Sequence, residues 1–211
     1  MSDIPSIAPP GMNDAAPGFT ARSTAGTIAL SGFRGRWLVF FSHPADFTPV
    51  CTSEFIAFAK ATPEFDKLDC ALLALSVDSL HSHVAWLRDI HDRFGVKIAF
   101  PVLEDPSMII ARAYGMLDNG APSSATVRAT YVIDPAGIIR AIVWYPMNVG
   151  RSVDELLRLV AALQAADRES ASTPEGWRPG QNLIEQAGLA LDVSSDDIRN
   201  GEAWYFREKR A

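Results

Sequence analysis

Residues 37–55 read Trp37-Leu38-Val39-Phe40-Phe41-Ser42-His43-Pro44-Ala45-Asp46-Phe47-Thr48-Pro49-Val50-Cys51-Thr52-Ser53-Glu54-Phe55. The apolar run 37–41 has the length and composition of a strand buried on both faces. After a short loop, Thr48-Pro49 opens a helix, with a capping residue followed by proline at the first helical position. Cys51 then falls in the first turn, beside unpaired backbone N–H groups and the positive end of the helix dipole. A cap at Thr48 puts its hydroxyl close to the Cys51 backbone N–H. Donors gathered around a sulfur favour the thiolate, which is the nucleophilic form.

A free cysteine is more often a small buried hydrophobe than a nucleophile. Here the strand-to-helix junction and the Thr-Pro-x-Cys order bring the two readings to about even. The whole chain narrows what that chemistry serves. Its 211 residues allow one substantial domain plus an appendage, and 48% apolar with 21% charged residues is ordinary for a globular protein. A net charge of −6 argues against a nucleic-acid partner. No run reaches membrane-spanning length, so no membrane partner is expected. The opening residues 1–10 read as a Pro/Ser tail without the basic and apolar regions of a signal peptide. Two cysteines are too few for a disulfide scaffold and fit a reducing compartment, so a cytoplasmic location is expected.

Outward from the opening stretch, 19–24 and 27–30 read as a hairpin around Ala25-Gly26. Cys70 to Val77 is a second buried strand, and Asp78-Ser79 caps a helix expected to present Leu80, Val84, Leu87 and Ile90 on one side up to Gly95. Ile98 to Phe100 reads as a short strand, and Asp105-Pro106 as the opening of a helix that ends before Gly115. Val127–Ile133 and Ile138–Tyr145 flank the turn Asp134-Pro-Ala-Gly137 as an antiparallel hairpin. Ser152-Val-Asp-Glu155 is a capping box before a last amphipathic helix. The order predicts an α/β fold, a mixed sheet covered on both faces. From Ser170 the composition turns to Ser, Thr, Pro and Gly. Residues 175–211 carry Trp177, Trp204, Tyr205 and Phe206 but too little apolar surface for a core of their own. The expected organisation is a tail at 1–10, a domain at 11–169 and an oligomerisation arm at 170–211.

The stretch His43-Pro-Ala-Asp-Phe-Thr-Pro-Val-Cys-Thr-Ser-Glu54 closely resembles the peroxidatic-cysteine motif of the peroxiredoxins. Leu72-Leu-Ala-Leu-Ser-Val-Asp-Ser79 with Trp86, the Asp134-Pro135 hairpin and Thr173-Pro-Glu-Gly-Trp-Arg-Pro-Gly180 resemble the one-cysteine branch bearing a C-terminal extension. The resemblance implies a thioredoxin-like fold and a thiol peroxidase. Its substrates would be hydrogen peroxide and alkyl hydroperoxides, and its oxidised form a cysteine sulfenic acid. It needs no cofactor, takes an external thiol reductant (thioredoxin, glutaredoxin with glutathione, or another), and forms a homodimer or a larger assembly such as a decamer.

Residue by residue, the resemblance makes Cys51 the peroxidatic cysteine, Thr48 the hydroxyl bonding sulfur and substrate, and Pro44 a shield from water. Arg128, on a strand just before Asp134-Pro135, matches the family's arginine, which suits that place because it stays charged and presents a fork of donors. Arg151 resembles a second arginine near the site, and His43 occupies the branch's histidine position. Glu54 is expected to orient an arginine or cap the helix. Some members of the branch are also phospholipases through a Ser-His-Asp set; Arg36, Leu30 and Ala136 stand at those places here, so that activity is not implied. His81, His83 and His91 invite a metal reading, but the i, i+2 pair points to different helix faces, so no metal is expected. A competing function is a peroxide sensor or chaperone-like redox assembly.

Cys70 is not expected to resolve Cys51. The first opens a strand and the second follows one, so a crossover puts them at opposite edges of the sheet, with roughly 20 Å of helix between. A disulfide needs Cα atoms within about 7 Å.

Overall fold

The computed structural model describes residues 8–117, 124–186 and 205–210. The chain divides into two compact units, 1–153 and 154–211. In the first, seven strands form one sheet: β1 (Thr20–Ser23), β2 (Gly26–Ala29), β3 (Trp37–Ser42), β4 (Cys70–Ser76), β5 (Val102–Glu104), β6 (Arg128–Ile133) and β7 (Ile139–Tyr145), in the spatial order β2-β1-β5-β4-β3-β6-β7. β3 pairs parallel with β4 and antiparallel with β6, so the sheet is mixed and β3 lies inside it. Every residue of β3 is buried, as its unbroken apolar run demands.

Alternation along β3 separates two cores. Leu38 and Phe40 join Leu73, Leu75, Leu103, Tyr114, Tyr131 and Ile133 on one face, where α3 (Ile109–Ala113) contributes Ile110 and Ala111. Phe41 turns to the other face. There it stacks on Phe58 of α1 (Pro49–Lys67) at 4.2 Å between centroids and meets Phe55 edge-on at 5.9 Å. Trp86 of α2 (Leu80–Phe94) completes that layer against Phe55 at 4.5 Å. The mixed sheet with helices on its faces is the expected thioredoxin-like architecture, and the β1–β2 hairpin sits at one edge.

Three local expectations are corrected. The strand lies at Val102–Glu104 rather than Ile98–Phe100. Pro101 has no N–H for a ladder but its carbonyl accepts from Ala74 N at 3.0 Å, so pairing begins just beyond it. Phe100 still fills the core, 5.3 Å from Phe55. The buried face of α2 is His83, Trp86 and Ile90, whereas Val84 is exposed. A polar residue, His83, anchors that stripe, and apolar periodicity alone could not register it. The helix expected at Asp105-Pro106 starts only at Ile109, because Met108 takes a left-handed φ of 59°. The Asp105 carboxylate reaches across that turn to accept from Ile109 N at 3.0 Å and Ala111 N at 2.7 Å. The β6–β7 turn is as expected, with Gly137 at φ 76°; an added Cβ there would run into the Arg34 guanidinium.

The second unit holds α4 (Val153–Glu169), which begins at the last residue of the first unit, and the short antiparallel pair β8 (Leu183–Ile184) and β9 (Glu208–Lys209). Within it, the Trp177 carbonyl accepts from Arg158 at 3.1 Å, and Lys209 bonds the Glu169 carbonyl at 3.2 Å. Trp177 is buried, while Tyr205 and Phe206 are exposed; Trp204 lies outside the described residues.

Candidate active site

Cys51 sits in the first turn of α1, fully buried, with Pro49 opening the helix and Thr48 as its extended cap residue. The Thr48 hydroxyl does not bond a helix N–H as expected. It donates to the Ala45 carbonyl at 2.8 Å, closing the preceding loop on itself. The backbone carbonyl of Thr48 accepts instead, from Thr52 N at 2.9 Å and the Thr52 hydroxyl at 2.8 Å. Thr52 also accepts from Trp86 Nε1 at 3.3 Å, which braces the first turn against α2.

Arg128 comes from the start of β6, two strands from the loop in sequence but adjacent to β3 in the sheet. Its Nη1 lies 3.4 Å from Cys51 Sγ and 2.7 Å from Glu54 Oε2. Its other nitrogens, Nε and Nη2, both donate to the Met147 carbonyl, at 3.0 and 2.8 Å, which fixes the plane of the fork. Arg151 fills the other side of Glu54: its Nη2 bonds Oε2 at 2.8 Å, its Nε bonds Oε1 at 3.0 Å, and its backbone N bonds Oε1 at 2.7 Å. The Arg151 guanidinium also lies 4.9 Å from the Phe41 ring centroid and donates to Ala129 O and Thr130 Oγ1. Glu54 thus orients both arginines rather than capping the helix.

Burial opposes a charged Glu54, but the hydrogen bonds and charge of Arg151, with Arg128 adding to them, hold its carboxyl below the usual range. Two guanidinium groups against one carboxylate leave one surplus positive charge in a buried place. An unpaired buried charge is costly, and the Cys51 sulfur is the group that it faces, at 3.4 Å from Arg128 Nη1. The arrangement presents a sulfur nucleophile and a fixed cation to one point, which is what displacement on a peroxide oxygen needs.

His43 and Pro44 are both buried in the loop after β3. His43 Nε2 lies 2.9 Å from Asp46 Oδ1, while Nδ1 has no hydrogen-bond partner among the described residues. Burial lowers the His43 pKa, and Asp46 only partly offsets this. Asp46 also meets His83 Nδ1, at 2.8 and 3.0 Å. Burial works against an ionised Asp46, yet the hydrogen bonds from His43 and His83 hold it far below the usual carboxylate range. Asp46 and His83 were missed as a pair; helical spacing from Trp86 and Ile90 puts His83 on the buried face and was the available signal. His81 is exposed and outside this cluster. Cys70, at the start of β4, pairs with Trp37 at the far end of β3 from the loop, and burial pushes its thiol up to about 12.

The AhpC/TSA family matches residues 12–142. Peroxiredoxin 2 of Thermoplasma acidophilum is 44% identical over 200 residues, 93% of this chain and 98% of that protein. Peroxiredoxin 2 of Caldanaerobacter subterraneus is 45% identical over 215 residues, covering 100% and 97%. Among solved structures, a yeast mitochondrial 1-Cys peroxiredoxin, studied for thiol resolution through glutathione and thioredoxin systems, superposes with a TM-score of 0.83 at 39% identity, over 95% of this chain and 99% of that one. Peroxiredoxin 6 of Arenicola marina gives 0.82 at 28% identity, over 95% and 97%. The chain belongs to the peroxiredoxin family. It is a thiol peroxidase, reducing peroxide at the expense of thiol. Among the described residues, no helix is long and apolar enough to cross a membrane.

Proposed function

We propose a one-cysteine peroxidase cycle on hydrogen peroxide and alkyl hydroperoxides, carried by the contact between Arg128 and the Cys51 sulfur. The Cys51 thiolate attacks one peroxide oxygen. The S–O bond forms as the O–O bond breaks, and the leaving hydroxide or alkoxide takes the electron pair and then a proton. Arg128 faces the charge as it passes from sulfur to the leaving oxygen. Pro44 keeps water out, and Thr48 offers its hydroxyl to the substrate once the bond to Ala45 is exchanged. Glu54 and Arg151 hold the Arg128 fork, and His43 backs the loop. An external thiol then attacks the sulfenic acid, releasing water, and a second thiol frees Cys51 as a disulfide departs.

Cys70 supports this reading: it is buried, its thiol is suppressed, and about 16 Å of parallel strand separates its end of β3 from the loop end, at ~3.3 Å per residue. Cys70→Ser should leave turnover unchanged with whichever of thioredoxin, glutaredoxin with glutathione, or ascorbate serves as reductant. A Cys51–Cys70 disulfide found by mass spectrometry in folded, peroxide-treated protein would overturn the one-cysteine cycle. Turnover that stops after one equivalent in the presence of every reductant would favour a sensor instead.

The proposed state is a homodimer or larger homo-oligomer, with 170–211 as an arm. Strand β7 is a sheet edge carrying the exposed Trp144, and Met147, Val149, Tyr205 and Phe206 are exposed as well. Sedimentation of the full chain as a monomer at micromolar concentration would contradict this. Two free cysteines fit a cytoplasmic location.

A further inference from the structure

The His43–Asp46–His83 cluster ties the loop over Cys51 to the body of the sheet. The side chains of both histidines are wholly buried, and that of Asp46 nearly so. His83 Nε2 faces the Leu103 carbonyl of β5 at 3.1 Å, and Nδ1 faces the Asp46 carboxylate at 2.8 Å. Both ring nitrogens therefore face acceptors, one on the loop and one on the sheet. The loop is held a second time, by Asp46 N donating to Asp78 Oδ2 at 2.8 Å. Just beyond the anchored Asp46, Phe47 is exposed and takes a φ of 56°, a strained conformation for an aromatic residue. Cys51 itself has no exposed surface, so a nucleophile larger than a peroxide meets an oxidised sulfur only after this loop moves.

We propose that His83 is a positioning residue that latches the loop through Asp46 and thereby sets how fast nucleophiles reach the Cys51 sulfenic acid. Release of the latch frees Asp46, relaxes Phe47 and opens the first turn of α1. The three residues also offer ligand atoms within 4.8 Å of one another, the spacing of a metal site. The Asp46 oxygens stand 2.8–3.0 Å from the histidine nitrogens, which are hydrogen-bond distances, whereas tetrahedral ligands at ~2.0–2.1 Å from zinc stand about 3.3 Å apart. The distances are those of residues joined by hydrogen bonds to Asp46.

The inference rests on sulfenic acid forming at Cys51 and not on how that acid is later reduced. The test therefore uses a 1,3-diketone, whose carbon attacks the sulfur while the S–O bond breaks and water leaves. Labelling of the full chain is followed after one equivalent of peroxide and before any reductant, so a cycle resolved by Cys70 would be seen separately as disulfide. His83→Leu should label about tenfold faster than the unmodified protein, the effect of losing a charged hydrogen bond that holds a loop closed. His83→Asn, which returns a donor near Nδ1, should bring labelling back to within about threefold. Asp46→Asn, isosteric and uncharged, should also label faster and serves if His83→Leu does not fold. Unchanged labelling in a folded His83→Leu or Asp46→Asn protein would overturn the latch. So would stoichiometric Zn²⁺ that raises the melting temperature of the unmodified protein but not of His83→Leu.

Discussion

Cys51→Ser should abolish peroxide-dependent turnover, by on the order of 10⁴-fold or more, while leaving the fold intact. A serine hydroxyl at this place is not ionised near neutral pH and is a poor nucleophile toward oxygen. The arginine pair would still surround it, because the bonds of Arg128 to Met147 and Glu54 and those of Arg151 to Glu54 do not pass through the sulfur. The melting temperature should therefore stay close to that of the unmodified protein, which separates lost chemistry from lost structure. Residual turnover within tenfold of the unmodified enzyme would remove Cys51 from the reaction.

Arg128→Met comes next in size. The guanidinium is the only charged donor bonded to Sγ among the described residues, and removing such a donor costs about 10²–10³-fold. Methionine fills much of the stem's volume but presents no N–H. The charge count also changes: Glu54 and Arg151 then cancel, and a thiolate at Cys51 would be a buried anion with nothing to balance it. The second-order rate constant for peroxide, measured in a single turnover, should fall in that range, and Arg128→Lys should recover part of it by restoring charge without the fork. A rate constant unchanged in Arg128→Met would refute the electrostatic role.

Much of this was legible in the chain because local rules dictate it. An unbroken apolar run made β3, Thr48-Pro49 opened α1, and Asp134-Pro-Ala-Gly137 turned β6 into β7. Arg128 could be named from its place before that turn, by resemblance. What stayed hidden is non-local. The Thr48 hydroxyl chose a loop carbonyl over a helix N–H, and only the path of residues 43–48 decides between them. Both arginines converge on one carboxylate because the 146–151 loop folds back on α1, a contact that no spacing announces. His83 has a histidine neighbour, His81, whose spacing argues against a shared metal, and nothing local announces its actual partners, which come from β5 and from a loop 37 residues earlier.

The two thiols are held by different elements, one by the first turn of a helix and one by the sheet, and that gives the molecule two clocks. Cys51 lies in a first turn that a local fluctuation can expose, whereas Cys70 is laddered into β4 opposite Trp37 of β3. Alkylation of Cys51 therefore counts small openings of the loop, while Cys70 waits for the sheet itself to come apart. Followed side by side by mass spectrometry, the two rates separate breathing at the active site from global unfolding in a single sample.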